Sequence, residues 1–201
     1  MEKVLLVASA NPGKIREIKA ILNSPELTIL SAKDTGITIN VAETGRTYEE
    51  NAWLKAEAYQ KASGLIVLAD DSGLEVDALN GEPGIYSARY AAIPNASDAD
   101  RRRYLLEQLK GKPQPWPAHF HCTAVLAGPQ GRLAAAEGRC DGLIIPKERG
   151  SGGFGYDPIF FIPEEAGTMA ELTEGRKNQI SHRARALQAL FPALQQAFKL
   201  E

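Results

Sequence analysis

Two adjacent carboxylates, Asp70 and Asp71, directly follow an apolar run at residues 65–69. A buried strand that ends in acidic residues often places a carboxylate at the mouth of a cleft in an α/β protein. Neighbouring strand side chains point to opposite faces, so both carboxylates cannot face one ligand while the strand is extended. We expect one to face a site and the other to anchor a neighbouring group. Ser72 and Gly73 are expected to end the strand, and a turn capped by both aspartates is the alternative.

A second stretch suited to charged ligands joins an apolar, strand-like run at residues 4–8 to a helix-like run at residues 15–22. Its sequence is Ser9-Ala10-Asn11-Pro12-Gly13-Lys14. A strand, a tight glycine-bearing loop and a helix present backbone N–H groups and a helix N-terminus to an anion, and Lys14 could reach the same anion. The spacing is not that of a P-loop. A turn with a helix N-cap is the alternative interpretation.

A third stretch, residues 150–158, is dense in glycine around Phe154, Tyr156 and Asp157. Glycine lets the backbone approach a ligand closely, and a flat aromatic ring suits stacking on a nucleobase. A flexible surface loop is the alternative. The aromatic residues argue against it, because solvent-exposed linkers seldom contain Phe and Tyr.

The intervening pattern predicts alternating strands and helices. Thr47 and Glu50 match a capping box that starts a helix, and Gly64 would end it. Residues 37–39 are a candidate third strand, and residues 74–79 alternate as a separate strand after the acidic pair. A further helix is expected from residue 97 or 98 to residue 109.

The last helix is expected to begin after Ser181, with a core-facing apolar stripe along its length. This start places His182 and Arg183 in the first turn. Basic residues are disfavoured there by the helix dipole unless an anion or another polar group occupies the same place. The inconsistency is a hint of function.

Other charged and metal-binding patterns are interpreted as structural. The run at residues 101–103 is all arginine, and helical spacing predicts a solvated helix face rather than an anion site. His119 and His121 share a strand face but have no third ligand nearby in the sequence, so we interpret them as surface or core histidines. Cys122 and Cys140 lack metal spacing and are expected to be reduced.

Length and composition limit the class of protein. The chain has 201 residues, 44% hydrophobic and 24% charged, which suits one large domain or two small lobes that share a sheet. A net charge of −2 argues against a protein that coats nucleic acid. No apolar run approaches membrane-spanning length, and the N-terminus has no signal-peptide layout, so a cytoplasmic location is expected.

Taken in order, the motifs closely resemble those of the inosine triphosphate/XTP–dITP pyrophosphatase family. The resemblance covers nearly the whole chain and rests on seven stretches: Ser9 to Lys14, Glu43-Thr44-Gly45, Glu50-Asn51-x-x-x-Lys55-Ala56, Ala69 to Leu74, Pro83 to Arg89, Gly152 to Pro158 and Ile180 to Arg183. It implies an α/β fold with a long mixed sheet flanked by helices. It also implies one catalytic domain over residues 1–201, whose two lobes share the sheet, a nucleotide cleft between the lobes, and a homodimer.

The resemblance also implies a reaction and a set of residue roles. Members hydrolyse deaminated purine nucleoside triphosphates between the α- and β-phosphates. Glu43 and Asp71 would hold Mg²⁺, and Asp71 would also accept a proton from the attacking water. The implied substrate-binding residues are Ser9, Ala10, Asn11, Pro12, Gly13 and Lys14 as the phosphate loop; Lys55, Ser72 and Arg89 on the nucleotide; and Phe154, Gly155, Tyr156, Asp157, Lys177, His182 and Arg183 around the base.

These roles are physically sensible. A triphosphate needs cations around it, and a carboxylate can position a water and take its proton. A hydrogen-bond donor from Lys177, His182 or Arg183 would bind the 6-oxo group of hypoxanthine or xanthine. Adenine carries an amino group there and would leave the donor unmatched. Such an unmet hydrogen bond can reject adenine by about 10⁴-fold. We therefore expect Arg183→Ala to weaken discrimination against ATP more than it disturbs folding.

Two other functions remain open at this stage. A pyrophosphatase for another modified nucleotide, such as a damaged pyrimidine, would keep Lys14, Glu43 and Asp71 but would not need the pocket at residues 181–183. A nucleotide-binding regulator without turnover would show Mg²⁺-dependent binding and no pyrophosphate. The paired carboxylates argue against it, because a pure anion binder gains little from carboxylates beside phosphates.

Overall fold

The computed structural model describes residues 3–91 and 93–200. The strands are β1 (Val4–Val7), β2 (Thr28–Ser31), β3 (Ile66–Val76), β4 (Trp116–Gly128), β5 (Gly131–Ile144), β6 (Phe160–Ile162) and β7 (Gly167–Thr168). The α-helices are α1 (Pro12–Ile21), α2 (Tyr48–Ser63), α3 (Asp98–Gln108), α4 (Glu174–Ile180) and α5 (His182–Phe198).

The strands form one mixed sheet in the order β2-β1-β3-β4-β5-β6-β7. β1 pairs in parallel with β2 and β3, whereas β6 pairs antiparallel with β5 and β7. The predicted α/β class with a mixed sheet and flanking helices is confirmed. None of the helices in the described ranges is long and apolar enough to cross a membrane.

The described chain forms two compact units. Unit 1 contains the chain up to Asp71, Cys122–Gly138, and the chain from His182 onward. Unit 2 contains the described parts of Ser72–His121 and Arg139–Ser181. Strands β3, β4 and β5 each contribute residues to both units. The division into two lobes of one catalytic domain stays a prediction.

In unit 1, alternation along the strands separates two apolar cores. Leu5 and Leu68 belong to a cluster with residues of α1 and α5, whereas Leu6 and Val67 belong to a cluster with residues of α2. Successive strand side chains point to opposite faces, so a single strand supplies both clusters. The same alternation decides which helix each polar residue of β3 meets.

Local signals mark the starts of α1 and α2 and the end of α2, as the sequence indicated. The Asn11 side chain accepts from the N–H groups of Gly13 and Lys14 at the start of α1. Thr47 caps α2 by accepting from the Glu50 N–H, and Gly64 ends the helix in the left-handed region at φ 69°.

Two predictions about strands were wrong. Ser72 and Gly73 do not end the strand, because β3 continues to Val76 and its last residues belong to the core of unit 2. Burial of an apolar strand outweighs the turn propensity of Ser and Gly here. Residues 37–39 form no strand. Ile37 and Ile39 instead pack from an irregular segment against the apolar cluster that includes α2.

Unit 2 has its own apolar core. Leu105 and Leu109, at the C-terminal end of α3, are fully buried in one cluster with Trp116, Phe120 and Phe160. The rings of Phe120 and Phe160 lie with centroids 4.5 Å apart. The short helix α4 was not predicted, although Thr173 caps it by accepting from the Arg176 N–H.

Candidate active site

Asp70 and Asp71 lie on opposite faces of β3, as predicted from strand geometry. Asp70 continues the row of Leu68 and points to the side of the sheet covered by α1 and α5. Asp71 continues the row of Ala69 and points toward α2. The two neighbouring carboxylates therefore meet different partners and can have different roles.

Asp70 is an anchored, buried anion. Its Oδ2 atom lies 3.0 Å from Lys14 Nζ, and it accepts from Arg183 Nη2 at 3.0 Å and Nε at 3.2 Å. Burial acts to raise the pKa of Asp70, but the positive charges of Lys14 and Arg183 outweigh burial and hold the pKa well below its usual range. Asp70 is thus ionised in the folded protein.

Arg183 also donates from Nη1 to Glu17 Oε2 on α1. Its side chain is about 1% exposed, and the two carboxylates raise its pKa against the effect of burial. The basic residue that looked inconsistent in the first turn of α5 therefore faces two carboxylates. They supply the negative charge that the sequence-based argument required.

Asp71 belongs to a second cluster with α2 and the segment before it. Lys55 Nζ lies 2.9 Å from Glu43 Oε1 and 3.3 Å from Asp71 Oδ1. Asn51 Nδ2 donates to Asp71 Oδ2 at 3.3 Å, while Asn51 Oδ1 accepts from the Gly45 N–H at 2.9 Å. Asn51 therefore ties Asp71 to the segment that carries Glu43.

Burial is the main influence on the pKa of Asp71, and it raises that pKa despite the nearby Lys55. Burial acts to lower the pKa of Lys55, but the charges of Asp71, Asp70 and Glu43 raise it. A carboxylate with a raised pKa is a stronger base than an ordinary aspartate. Of the acidic pair, Asp71 is the better proton acceptor and Asp70 is the structural anion.

The donor set around Asp71 fits a hard divalent cation. Glu43 and Asp71 present carboxylate oxygens to one ammonium group, which shows that both can face one positive charge. The described ranges contain no group of three or more His, Cys, Asp or Glu residues that could hold a metal. Mg²⁺ commonly uses one or two carboxylates and completes its shell with water and substrate phosphates, so two carboxylates suffice.

The loop before α1 is built around Asn11. Ser9 Oγ accepts from the Asn11 N–H at 3.2 Å, and Asn11 Oδ1 accepts from the N–H groups of Gly13 at 2.8 Å and Lys14 at 3.2 Å. Asn11 is thus the N-cap of α1. The ammonium group of Lys14, in the first turn of the helix, extends to Asp70. Capping and anion binding are compatible, because the helix N-terminus keeps its partial positive charge.

Unit 2 holds a separate cluster in the glycine-rich stretch. Asp157 Oδ2 accepts from Lys177 Nζ at 2.5 Å and from the Phe154 N–H at 2.8 Å. Lys177 Nζ also lies 4.8 Å from the centre of the Phe154 ring. Gly153 is left-handed at φ 71°, and a Cβ there would lie 2.0 Å from Asp157 Oδ2. The cluster presents an aromatic face beside a held ammonium group.

The other predicted residues also have defined positions. Tyr156 is buried and donates to the Ser87 carbonyl at 2.9 Å, and burial raises its pKa. Arg89 is exposed, with its guanidinium 5.1 Å from the centre of the Tyr86 ring. Ser72 lies half-buried in β3, and His182 is buried at the first position of α5.

The structure groups the predicted residues by unit. In unit 1, Lys14 and Arg183 meet at Asp70, whereas Glu43 and Lys55 meet with Asp71 on the other face of β3. Unit 2 brings together Phe154, Asp157 and Lys177. Sequence reasoning expected one aspartate of the pair to be an anchor, but it missed Glu17 and the partners of Asp70, because no local signal links α1, β3 and α5. Asn51 could have been found, since it lies one helical turn from Lys55 on the same face.

A mixed-sheet α/β fold with paired carboxylates, buried cations and a capped strand–loop–helix defines a class of α/β proteins whose site chemistry suits a divalent cation and an anionic ligand. Within that class, the chain belongs to the Ham1 family, whose sequence pattern it matches over residues 5–193. The predicted family resemblance is confirmed.

Relatives match the chain over nearly its whole length. A Bacillus licheniformis protein named dITP/XTP pyrophosphatase is 45% identical over 97% of this chain and 100% of its own. A Geobacter sulfurreducens protein of the same name is 49% identical over 92% of this chain and 94% of its own. The structure of the Staphylococcus aureus Ham1 protein is similar with a TM-score of 0.84, at 44% identity over 97% of this chain and 100% of that one.

Proposed function

We propose that this protein is a Mg²⁺-dependent nucleoside triphosphate pyrophosphohydrolase that acts on deaminated purine nucleotides: ITP, dITP and XTP. The products are the nucleoside monophosphate and pyrophosphate, and the reaction would remove these nucleotides from the cellular pool. The observation that carries the proposal is the cluster of Glu43, Lys55 and Asp71, in which two carboxylates share one ammonium group. The names of the relatives support the substrate class.

The reaction has one bond formed and one bond broken. The oxygen of water attacks the α-phosphorus, the bond from that phosphorus to the α–β bridging oxygen breaks, and pyrophosphate leaves with the bond electrons. Asp71 takes the proton of the water, a role that its buried carboxylate beside Lys55 and Glu43 can fill. Lys55 and Lys14 offer positive charge to the phosphate oxygens.

Glu43 and Asp71 would hold the Mg²⁺, which supplies charge neutralisation to the phosphates when bound. The Lys55 ammonium group donates to both carboxylates in this structure. With Mg²⁺ bound, the same two carboxylates would contact both the metal and Lys55. Asn51 keeps Asp71 and the Gly45 peptide in a fixed relation, so it limits the movement of the Glu43 segment.

Base selection is assigned to donors that meet the 6-oxo group of hypoxanthine or xanthine. Lys177, His182 and Arg183 are the candidates, and Phe154 offers a ring for stacking. Arg183 would have to offer an N–H group other than those that it donates to Asp70 and Glu17. In unit 2, Lys177 is oriented by Asp157, whose carboxylate also holds the Phe154 N–H. One carboxylate therefore positions both a donor and an aromatic face.

The test is pyrophosphate release from ITP, XTP, GTP, ATP and dTTP, each with and without Mg²⁺. Rapid Mg²⁺-dependent release from ITP and XTP alone supports the proposal. Release mainly from dTTP would overturn the base assignment, and binding of all five without release would indicate a regulator. A homodimer and a cytoplasmic location stay predictions.

A matched pair of variants tests the carboxylate role. Asp71→Asn keeps the shape of the side chain but removes the base, so turnover should fall by about 10²- to 10⁴-fold. Asp141→Asn is the control, because Asp141 is exposed and its carboxylate pairs with the exposed Arg139. Equal turnover in both variants would remove Asp71 from the catalytic role.

A further inference from the structure

Residues 152–157 of unit 2, the Phe154 loop, are held by two residues on one face of α3, Asp98 and Arg102, which form a clamp. Asp98 Oδ2 accepts from the Gly155 N–H at 2.7 Å, and Arg102 Nη1 donates to the Gly155 carbonyl at 2.8 Å. Asp98 and Arg102 lie four residues apart, which places both on the same side of the helix. Together they hold the peptide groups on both sides of Gly155.

This clamp is itself fixed. Arg102 donates from Nε and Nη2 to the two carboxylate oxygens of Glu148, at 2.9 and 3.0 Å, and its side chain is only 12% exposed. Asp98 is paired through its other oxygen with Arg101. The arginine run predicted to be a solvated face is therefore mixed, since Arg103 alone of the three is largely exposed, at 73%.

The Phe154 loop needs contacts from outside because two of its residues are flexible glycines. Gly153 and Gly155 are both left-handed, at φ 71° and 61°, and they flank Phe154. Glycine has the widest choice of backbone conformations, so two of them beside an aromatic residue would leave its ring free to move. Asp157 holds the Phe154 N–H through its carboxylate and the Phe154 carbonyl through its own N–H, and the α3 clamp holds the N–H and the carbonyl of Gly155.

We propose that Asp98 and Arg102 are positioning residues for base recognition, which act by fixing the Gly155 peptides and thereby the Phe154 ring. The inference rests on the proposed function, in which Phe154 stacks on the base. The clamp residues need not touch the nucleotide. Their loss should weaken binding of the nucleoside part and leave the phosphate-binding cluster of unit 1 unchanged.

The first experiment compares Arg102→Lys with Arg103→Lys, a control at the neighbouring exposed arginine. Lysine cannot reproduce the forked contacts of Arg102 with Glu148 and the Gly155 carbonyl. We expect the KM for ITP to rise about tenfold in Arg102→Lys, with kcat within about twofold, as for the loss of one hydrogen bond from a charged donor. Arg103→Lys should match the wild type.

Asp98 provides a rescue test. Asp98→Ala removes the acceptor for the Gly155 N–H and should raise KM to a similar extent, while Asp98→Asn keeps an acceptor oxygen and should restore most of the affinity. Inhibition by inorganic tripolyphosphate, which lacks a base, should be the same in all variants. An unchanged KM in Asp98→Ala and Arg102→Lys would overturn the proposal, and so would a parallel weakening of tripolyphosphate inhibition.

Amide hydrogen exchange separates this inference from the proposed function. Peptides that cover residues 152–157 should exchange faster in Asp98→Ala and Arg102→Lys than in Arg103→Lys, and peptides from α2 should not change. Unchanged exchange in the loop refutes the clamp, whatever the substrate. If wild-type protein fails to release pyrophosphate from ITP, the proposed function and the role in base recognition are wrong, and faster exchange would support only the anchoring of the loop.

Discussion

Arg183→Met is the most informative test of how buried charges stabilise this protein. Arg183 belongs to a buried charged group with Asp70, Glu17 and Lys14. The group contains two cations and two carboxylates, so its formal charges cancel. Methionine keeps much of the apolar length of arginine but removes the positive charge and every donor. Glu17 then loses its Arg183 partner, and Asp70 keeps Lys14.

The expected magnitude follows from burial. Removal of one partner from a buried ion pair destabilises a protein by about 3–5 kcal/mol, because the remaining charge is left uncompensated. Arg183 is about 1% exposed and Glu17 about 10%, so water can replace little of what is lost. Against a total stability of about 5–15 kcal/mol for a typical domain, the loss is large. Arg183→Met should therefore disturb folding more than the sequence-based expectation for Arg183→Ala allowed.

A second substitution tests the charge argument. In Arg183→Met with Glu17→Met, the carboxylate left behind is also removed, and Lys14 and Asp70 remain as a neutral pair. The double variant should recover about 1–2 kcal/mol relative to Arg183→Met, since well-packed apolar residues can replace buried ion pairs. Lys110→Met is the control, because Lys110 pairs with Glu107 at an exposed site and its replacement should cost about 1 kcal/mol or less.

Urea unfolding at 25 °C, followed by circular dichroism and by tryptophan fluorescence, measures these free energies, and coincident transitions establish two-state behaviour. A loss below about 1 kcal/mol in Arg183→Met would refute the reasoning, because it would place the arginine charge in a well-solvated setting. A double variant less stable than the single one would show that packing, not charge balance, controls the site.

Three further predictions concern single residues. Asp71→Asn should leave the free energy of unfolding equal to or above that of the wild type while turnover falls, because burial disfavours the Asp71 charge; urea unfolding beside the activity assay checks this. Gly153→Ala should lower the free energy of unfolding by about 1–3 kcal/mol, and Gly155→Ala by less. Both glycines are left-handed, but only at Gly153 would an added Cβ meet the Asp157 carboxylate. Thermal unfolding of the two variants would compare these losses. Burial, together with the Arg139 charge, lowers the pKa of His119 below 6.5, so its NMR titration should have a midpoint below 6.5. The unfolded chain then binds more protons, and stability should fall as pH drops through 6.5, with a smaller fall in His119→Gln; a midpoint above 6.5 would contradict this.

Much of the fold could be read from local patterns. Apolar runs predicted β1 and the first half of β3, and capping residues predicted where α1, α2 and α3 begin. Such signals act within a few residues, so no knowledge of packing is needed. The same locality explains the errors at Ser72 and at residues 37–39, where tertiary burial decided against local propensity.

The sequence predicted part of the candidate site. Motif order pointed to the residues, and strand alternation showed that Asp70 and Asp71 must face opposite ways. Alternation is a property of one strand, so it cannot say which helix covers which face. Only the packing of α1 and α5 on one side and α2 on the other made Asp70 the anchored anion and Asp71 the carboxylate beside Lys55.

The sequence by itself determined the α/β class, the family and the residue types of the candidate site. The tertiary structure decided the partners of each charge, because electrostatic and hydrogen-bond energies depend on distances between residues far apart in the chain. Arg183 lies 113 positions from Asp70 and 166 from Glu17, and Asp98 lies 57 positions from Gly155. No local pattern links such residues, and the anchor of Asp70 and the clamp on the Phe154 loop follow from packing alone.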